Sequence, residues 1–224
     1  MYLRRAGERG HYDHGWLKSW HSFSFADYHD PEHMHFHKLR VINEDIVQGE
    51  TGFGTHPHRD MEIVTYIIDG ELEHKDSLGN SYKLRKGDLQ HMRAGTGIRH
   101  SEMNVQKEPV HLFQIWIMPG QMGLAPSYKQ INLPYDGTTR SETQLTGEGA
   151  PFDLNNGVNM FRIVLPKGET LKWSNERSRY IQMVKGQVQN TSFTLSKSDG
   201  LGLEVGENLE MTSTENAEFI LFEL

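Results

Sequence analysis

Cysteine is absent from the 224 residues, which excludes disulfides, thiolate catalysis, cysteine-type zinc sites and iron–sulfur clusters together. Whatever chemistry the chain performs must use nitrogen and oxygen. No stretch approaches the ~20 consecutive apolar residues needed to span a bilayer, and the opening MYLRRAGERG lacks the apolar region of a secretion signal. A cytoplasmic location without a membrane partner is therefore expected. Positive charge is in deficit: 23 Lys and Arg against 30 Asp and Glu leave a formal net charge of −7, which opposes the attraction behind non-specific nucleic-acid binding. Direct contact with DNA or RNA is not expected. The remaining composition, 36% hydrophobic, 10% aromatic and 24% charged with both signs mixed, describes a folded chain with a core and not a disordered one.

Amphipathic periodicity of three or more helical turns is also missing. Short runs of β-type composition recur instead, at 38–46, 62–68, 81–84, 111–118, 161–165, 180–184, 191–195 and 218–222, each bounded by Gly, Asn, Asp or Pro. Strands this short and this often interrupted predict an all-β sandwich or barrel. Between Pro119 and Pro151 the composition shifts to Gly, Pro, Thr and Ser, which predicts a crossing segment with little regular structure. The expected organisation is a first domain over 1–120, a linker over 121–150 and a second domain over 151–224. The two halves share a rhythm: MEIVTYIIDGELEHKDSLGNSYKLRKGDL resembles SRYIQMVKGQVQNTSFTLSKSDGL. Matching Gly70 to Gly186 places Lys172 and Ser174 where the first half has His56 and His58, so the second unit, read as a copy, has lost whatever those histidines do.

All 13 histidines lie at or before His111. Two local patterns stand out, Thr55-His56-Pro57-His58 and Arg99-His100-Ser101-Glu102. Each sets two metal-ligand side chains two residues apart, and positions i and i+2 of an extended strand project from one face. Two such strands side by side would aim three imidazoles and a carboxylate at one point. That mixed N/O set suits a divalent first-row metal and leaves open positions on an octahedral ion, whereas Mg²⁺ and Ca²⁺ prefer oxygen throughout. The bland alternative is an HxH pair on an exposed strand that binds nothing. Against it, GETGFGTHPH and AGTGIRHSE both enter the strand through Gly-rich turns, as a barrel rim requires when ligands must point inward. Spacing alone cannot choose between a zinc hydrolase and an iron-type oxygenase.

The motifs HSFSFADY (21–28), LRVINED (39–45), GFGTHPH (52–58) and AGTGIRHSE (94–102) resemble, in this order, those of the pirins within the cupin superfamily. The likeness is specific over roughly the first 120 residues and rests on length and the faint duplication beyond them. It implies a bicupin, two jelly-roll-like β-barrels face to face, with a metal site only in the N-terminal barrel. The implied ligands are His56, His58, His100 and Glu102. The implied metal is Fe²⁺, with Zn, Mn, Ni, Co or Cu also compatible. The implied activity is that of a quercetin 2,3-dioxygenase, oxidative opening of a flavonol's heterocyclic ring by O₂ with release of carbon monoxide, in which Glu102 is the catalytic base. Flavonol and O₂ are then the small-molecule partners. A second reading from the same resemblance is a metal-binding regulator that acts through a protein partner without its own catalysis. A monomer is expected, since paired barrels within one chain cover one another's sheet faces.

Many cupins take their glutamate from the first motif, where Glu62 follows His58 by four residues. Glu62 shares the histidine face only if the strand runs unbroken through Arg59-Asp60-Met61, so Glu102 is the more secure ligand and the resemblance agrees. Glu62 is left as an acceptor for a histidine N–H or a plain strand residue. His33, His35 and His37 alternate in EHMHFHK, yet they lie beside Asp30-Pro31 and read as exposed. His11, His14, His21, His29, His74, His91 and His111 have no partner in a motif and read as structural or solvent-facing. Phe53, Met92 and Phe113 are candidates for an apolar pocket or for barrel core. Gly95-Thr96-Gly97 reads as a strand-entry turn, because no Gly-Lys-Ser/Thr follows it.

Overall fold

The computed structural model describes residues 1–133, 138–174 and 176–224. Its first elements are β1 (Tyr2–Arg4) and a 3-10 turn at Ala6–Glu8. Then follow β2 (Gly10–Asp13), β3 (Leu17–His21), β4 (Leu39–Val47), β5 (Thr51–His58), β6 (Glu62–Asp69), β7 (Glu71–Asp76), β8 (Ser81–Arg85), β9 (Asp88–Arg93), β10 (Ile98–Asn104), β11 (Val110–Ile117) and β12 (Ser127–Asn132). The chain continues with β13 (Ser141–Thr146), β14 (Asn159–Leu165), β15 (Thr170–Trp173), β16 (Arg179–Lys185), β17 (Val188–Gln189), β18 (Thr194–Leu195), β19 (Gly200–Leu203), β20 (Leu209–Ser213) and β21 (Ala217–Glu223). No α-helix occurs among the described residues, so the all-β reading holds. Two cupin-like units result, one of Gly10–Pro134 with Leu154–Asn156, the other of Met1–Arg9, Tyr135–Asp153 and Gly157–Leu224. The first strand of the chain thus adds to the sheet of the C-terminal unit, where Leu3 pairs with Leu201.

In the N-terminal unit a seven-stranded sheet runs β12-β9-β6-β11-β4-β3-β2 and a four-stranded sheet runs β5-β10-β7-β8. The C-terminal unit has β1-β19-β16-β21-β14-β13 and β15-β20-β17-β18. Adding ten to the labels β9-β6-β11-β4-β3 and β5-β10-β7-β8 reproduces the second unit's order, which makes the duplication a matter of topology and not only of rhythm. The segment between Pro119 and Pro151 departs from expectation. Despite its Gly and Pro content it holds β12, paired with β9 from Ser127↔Arg93 to Asn132↔Asp88, and β13, paired with β14. Both lie at a sheet edge, where a partner on one side organises a sequence whose own propensity is weak.

Fifteen buried apolar residues, Leu171, Met183, Phe193, Leu209 and Phe219 among them, form one continuous cluster in the C-terminal unit. In the N-terminal unit the apolar clusters among the described residues include a seven-residue one around Val47, Ile67, Leu72 and Leu112 and a four-residue one of Ile63, Met92, Ala94 and Ile98. Asn43, Asp45, Thr65, Gln90, His100 and Glu102 are buried in the same unit, and buried polar atoms need partners. In the second barrel the strand register pairs Lys172 with Glu210, the counterparts of His56 and His100, and the two form an exposed ion pair at 2.9 Å.

Candidate metal centre

Strand β5 reads TGFGTHPH, a poor strand former with two glycines and a proline. Its edge position in the four-stranded sheet explains the tolerance, because an edge proline need not donate to a second neighbour. Along it Gly54, Thr55 and Pro57 are exposed while His56 and His58 are half-buried, the period-two pattern expected of a rim strand. The antiparallel register sets His56 directly opposite His100 on β10 and His58 opposite Ile98. Ring centroids lie 4.4 Å apart for His56 and His100, 4.8 Å for His56 and His58 and 4.9 Å for His58 and His100. One ligand nitrogen from each falls within 4.8 Å of the other two. His56 donates from Nδ1 to the Gly54 carbonyl at 2.8 Å, which leaves Nε2 bare. His100 Nε2 is buried with no hydrogen-bond partner among the described residues.

Glu102 reaches the interior by an irregularity. Between His100 and Glu102 the pairing with β5 slips by one, so that Glu102 faces Phe53; a bulge of this kind re-aims side chains at a barrel rim. The carboxylate, 2% exposed, crosses to the facing sheet. Gln90 Nε2 on β9 donates to Oε1 at 3.1 Å and Gln114 Nε2 on β11 donates to Oε2 at 2.9 Å. Thr65 Oγ1 on β6 lies 3.4 Å from Oε1 and 3.3 Å from Gln114 Oε1, so its one proton can serve either. The structure therefore gathers His56, His58 and His100 into one group, and gathers Glu102 with His100 and His74 into an overlapping second group within 4.8 Å.

Burial, followed by the neighbouring imidazoles His56 and His74, pushes the His100 pKa down to about 3. Burial, followed by His100 and His56, lowers His58 to about 4. Both rings are thus neutral at pH 7, the state in which imidazole binds a cation. Trp116 packs edge-on against His58 at 5.0 Å and against Phe25 at 5.3 Å, forming an apolar wall beside the half-exposed histidines.

The other sequence candidates resolve differently. Glu62 does accept a histidine N–H, but from His91, and also from Arg93 at 2.8 Å; it does not touch the three-histidine group. His37 takes a positive φ of 48°, which breaks the alternation of 33–37, and His35 Nδ1 instead donates to the His37 carbonyl at 3.0 Å. Met92 and Phe113 are fully buried and Phe53 packs on the apolar cluster with Trp16, so all three are core. Gly95 holds φ +47°, and a Cβ there would meet the Leu124 carbonyl oxygen at 2.1 Å, as a strand-entry turn with close backbone approach requires. Sequence reasoning missed His74, Asp76, Thr65, Gln90, Gln114 and Trp116. His74 was readable: His74-Lys75-Asp76 has the same i, i+2 spacing as His56-Pro57-His58. The two glutamines and the threonine carry no local signal, since only the pairing of distant strands brings them to Glu102.

The chain is similar to known proteins over its whole length. The sequence pattern of the pirin family matches residues 3–117, and that of a quercetinase C-terminal cupin domain matches residues 145–224. A quercetin 2,3-dioxygenase of Escherichia coli (strain K12) is 44% identical over 229 residues, covering 100% of this chain and 98% of the relative. A pirin-like protein of Caulobacter vibrioides is 40% identical over 215 residues, 93% of each chain. The crystal structure of the bacterial pirin YhhW from Escherichia coli, in complex with nickel(II), superposes with a TM-score of 0.93 at 43% identity, covering 100% of this chain and 98% of that one.

Proposed function

The chain belongs to the pirin family, and on that premise we propose that it is a metal-dependent dioxygenase that opens the heterocyclic ring of flavonols such as quercetin with O₂ and releases carbon monoxide. The convergence of three imidazoles at a half-open barrel rim, one ligand nitrogen from each within 4.8 Å of the others, carries the reading. His56, His58 and His100 would hold one divalent ion with Glu102 as the fourth ligand. The unpartnered, buried Nε2 of His100 and the nitrogen-rich donor set fit such an ion; affinity order alone favours Cu²⁺ or Zn²⁺, and it is the likeness to the pirins that puts Fe²⁺ first. When bound, it would supply a Lewis acid for the flavonol oxygens and a redox-active centre for O₂.

The remaining work falls to the chain's own groups. Glu102 takes the proton of the flavonol 3-hydroxyl; a carboxylate within hydrogen-bond reach of that oxygen needs little movement to do so. Gln90 and Gln114 hold its two oxygens from the opposite sheet, so the base is oriented before substrate arrives. Trp116 and Phe25 offer a planar polyphenol an apolar face and keep bulk water from His58. The test is Fe²⁺-loaded protein mixed with quercetin in air. Loss of flavonol absorbance with carbon monoxide evolution, abolished by chelation, supports the proposal. No turnover at full metal occupancy would replace it with a metal-binding regulator that acts through protein contacts.

A further inference from the structure

Behind His100 lies a pair that the proposed chemistry leaves unused. His74 and Asp76 on β7 have fully buried side chains, and His74 Nε2 stands 3.0 Å from Asp76 Oδ2. The carboxylate is fixed on its other sides: Oδ1 accepts the backbone N–H of Leu78 at 2.9 Å and of Asn80 at 3.1 Å, and Oδ2 accepts Asn80 Nδ2 at 2.9 Å. The second nitrogen of His74, Nδ1, faces His100 Nδ1 at 3.5 Å. The Tyr128 ring backs His74 with centroids 4.6 Å apart.

The protons in this row are set from one end. An ionised carboxylate only accepts, so His74 Nε2 carries the proton that faces Asp76. Nδ1 of His74 is then the acceptor for the hydrogen bond that His100 Nδ1 donates across 3.5 Å. His100 Nε2 is bare in turn, and that is the buried nitrogen without a protein partner. We propose that Asp76 and His74 are positioning residues that fix the His100 tautomer with its lone pair on Nε2 and thereby set the affinity of the metal centre. The inference rests on reading His100 as a ligand, as the proposed function does, but concerns the binding step and not turnover.

Asp76→Asn tests it with little change of shape. The oxygen that accepts two backbone N–H groups must stay an oxygen, so the new NH₂ faces His74 Nε2. Donor meets donor, the His74 proton moves to Nδ1, and the His100 proton is forced onto Nε2, where it blocks coordination. Ni²⁺ affinity, read by chelator competition, is expected to fall about 10–100-fold. His74→Asn places an amide oxygen near the position of Nδ1 and accepts from His100 without consulting residue 76. Added to Asp76→Asn, it is expected to recover most of the lost affinity, which a purely structural defect would not allow. Unchanged Ni²⁺ affinity in Asp76→Asn, or no recovery in the double variant, would overturn the proposal.

Should Asp76→Asn not fold, the unsubstituted metal-free protein still decides the matter. Long-range ¹H–¹⁵N correlation of the histidine rings is expected to show the His100 proton on Nδ1, and finding it on Nε2 overturns the relay. If the unsubstituted protein takes up no Ni²⁺, the metal reading of the site fails, and the tautomer measurement alone judges the relay.

Discussion

Glu102→Gln separates what the carboxylate does for the fold from what it does for chemistry. The substitution turns one acceptor oxygen into a donor facing an amide donor. Gln114 resists a flip, because its Oε1 stands 3.3 Å from Thr65 Oγ1. Gln90 does not: its Oε1 is buried without a partner, so turning that amide lets it accept from the new NH₂ at the expense of its 3.0 Å donation to Thr65. About one neutral hydrogen bond is lost, roughly 0.5–1.5 kcal/mol, together with the extra strength of a charged acceptor, and removing a buried charge offsets part of this. Net stability should therefore stay within about 2 kcal/mol of the unsubstituted protein. Loss of a general base, in contrast, lowers turnover about 10²–10⁴-fold. Urea unfolding, Ni²⁺ retention and quercetin consumption measured on one preparation read all three quantities. A near-native unfolding midpoint with much of the metal retained and turnover lost is expected. Turnover within a few-fold of the parent removes Glu102 as the base, and a variant that cannot fold shows that Gln90 does not re-pair as argued.

Three further outcomes follow from other residues. Burial raises the Asp45 carboxyl from 3.8 to about 7 against the hydrogen bond from Ser19, with the Glu102 and Glu44 charges adding to the rise. The folded state thus keeps a proton that the unfolded chain has released, so the contribution of Asp45 to stability falls as pH rises from about 4 to about 7, by at most on the order of 4 kcal/mol, while the lowered pKa values of His58 and His100 act in the opposite direction over much of that range. Asp45→Asn should remove this contribution, so that the urea midpoint rises more, or falls less, from pH 5 to pH 8 than in the unsubstituted protein; an unchanged difference between the two pH values contradicts the assignment. Gly95→Ala should cost about 1–3 kcal/mol in thermal or urea unfolding, since φ +47° and the Leu124 carbonyl leave no room for a Cβ, and wild-type stability would show that the turn yields freely. His56→Ala combined with His100→Ala should bring bound metal to background in elemental analysis, and unchanged metal content would remove the site.

The ligand strands were legible because a side-chain period of two is local: spacing put His56 with His58, and His100 with Glu102, on shared strand faces, and the register between β5 and β10 brings the three imidazoles together. The loss of the site in the second unit was legible for the same reason, and the structure shows what replaced it, the exposed Lys172–Glu210 pair. Glu102 was only half legible. Spacing puts it on the His100 face, but the bulge before it and its anchoring by Gln90 and Gln114 depend on registers between strands far apart in sequence. His74 was passed over although His74-Lys75-Asp76 repeats the spacing of the first motif, because a histidine among charged residues reads equally well as a solvent-facing strand position until the strands are paired. Composition misled most over 119–151, where edge pairing made strands of a sequence rich in turn formers.

Anomalous diffraction from crystals grown with Ni²⁺ addresses the four-ligand centre most directly. A single peak is expected about 2.1 Å from Nε2 of His56, His58 and His100, with the Glu102 carboxylate completing the set at a similar distance. A peak between His74, His100 and Glu102, or no peak at the three-histidine group, would contradict it.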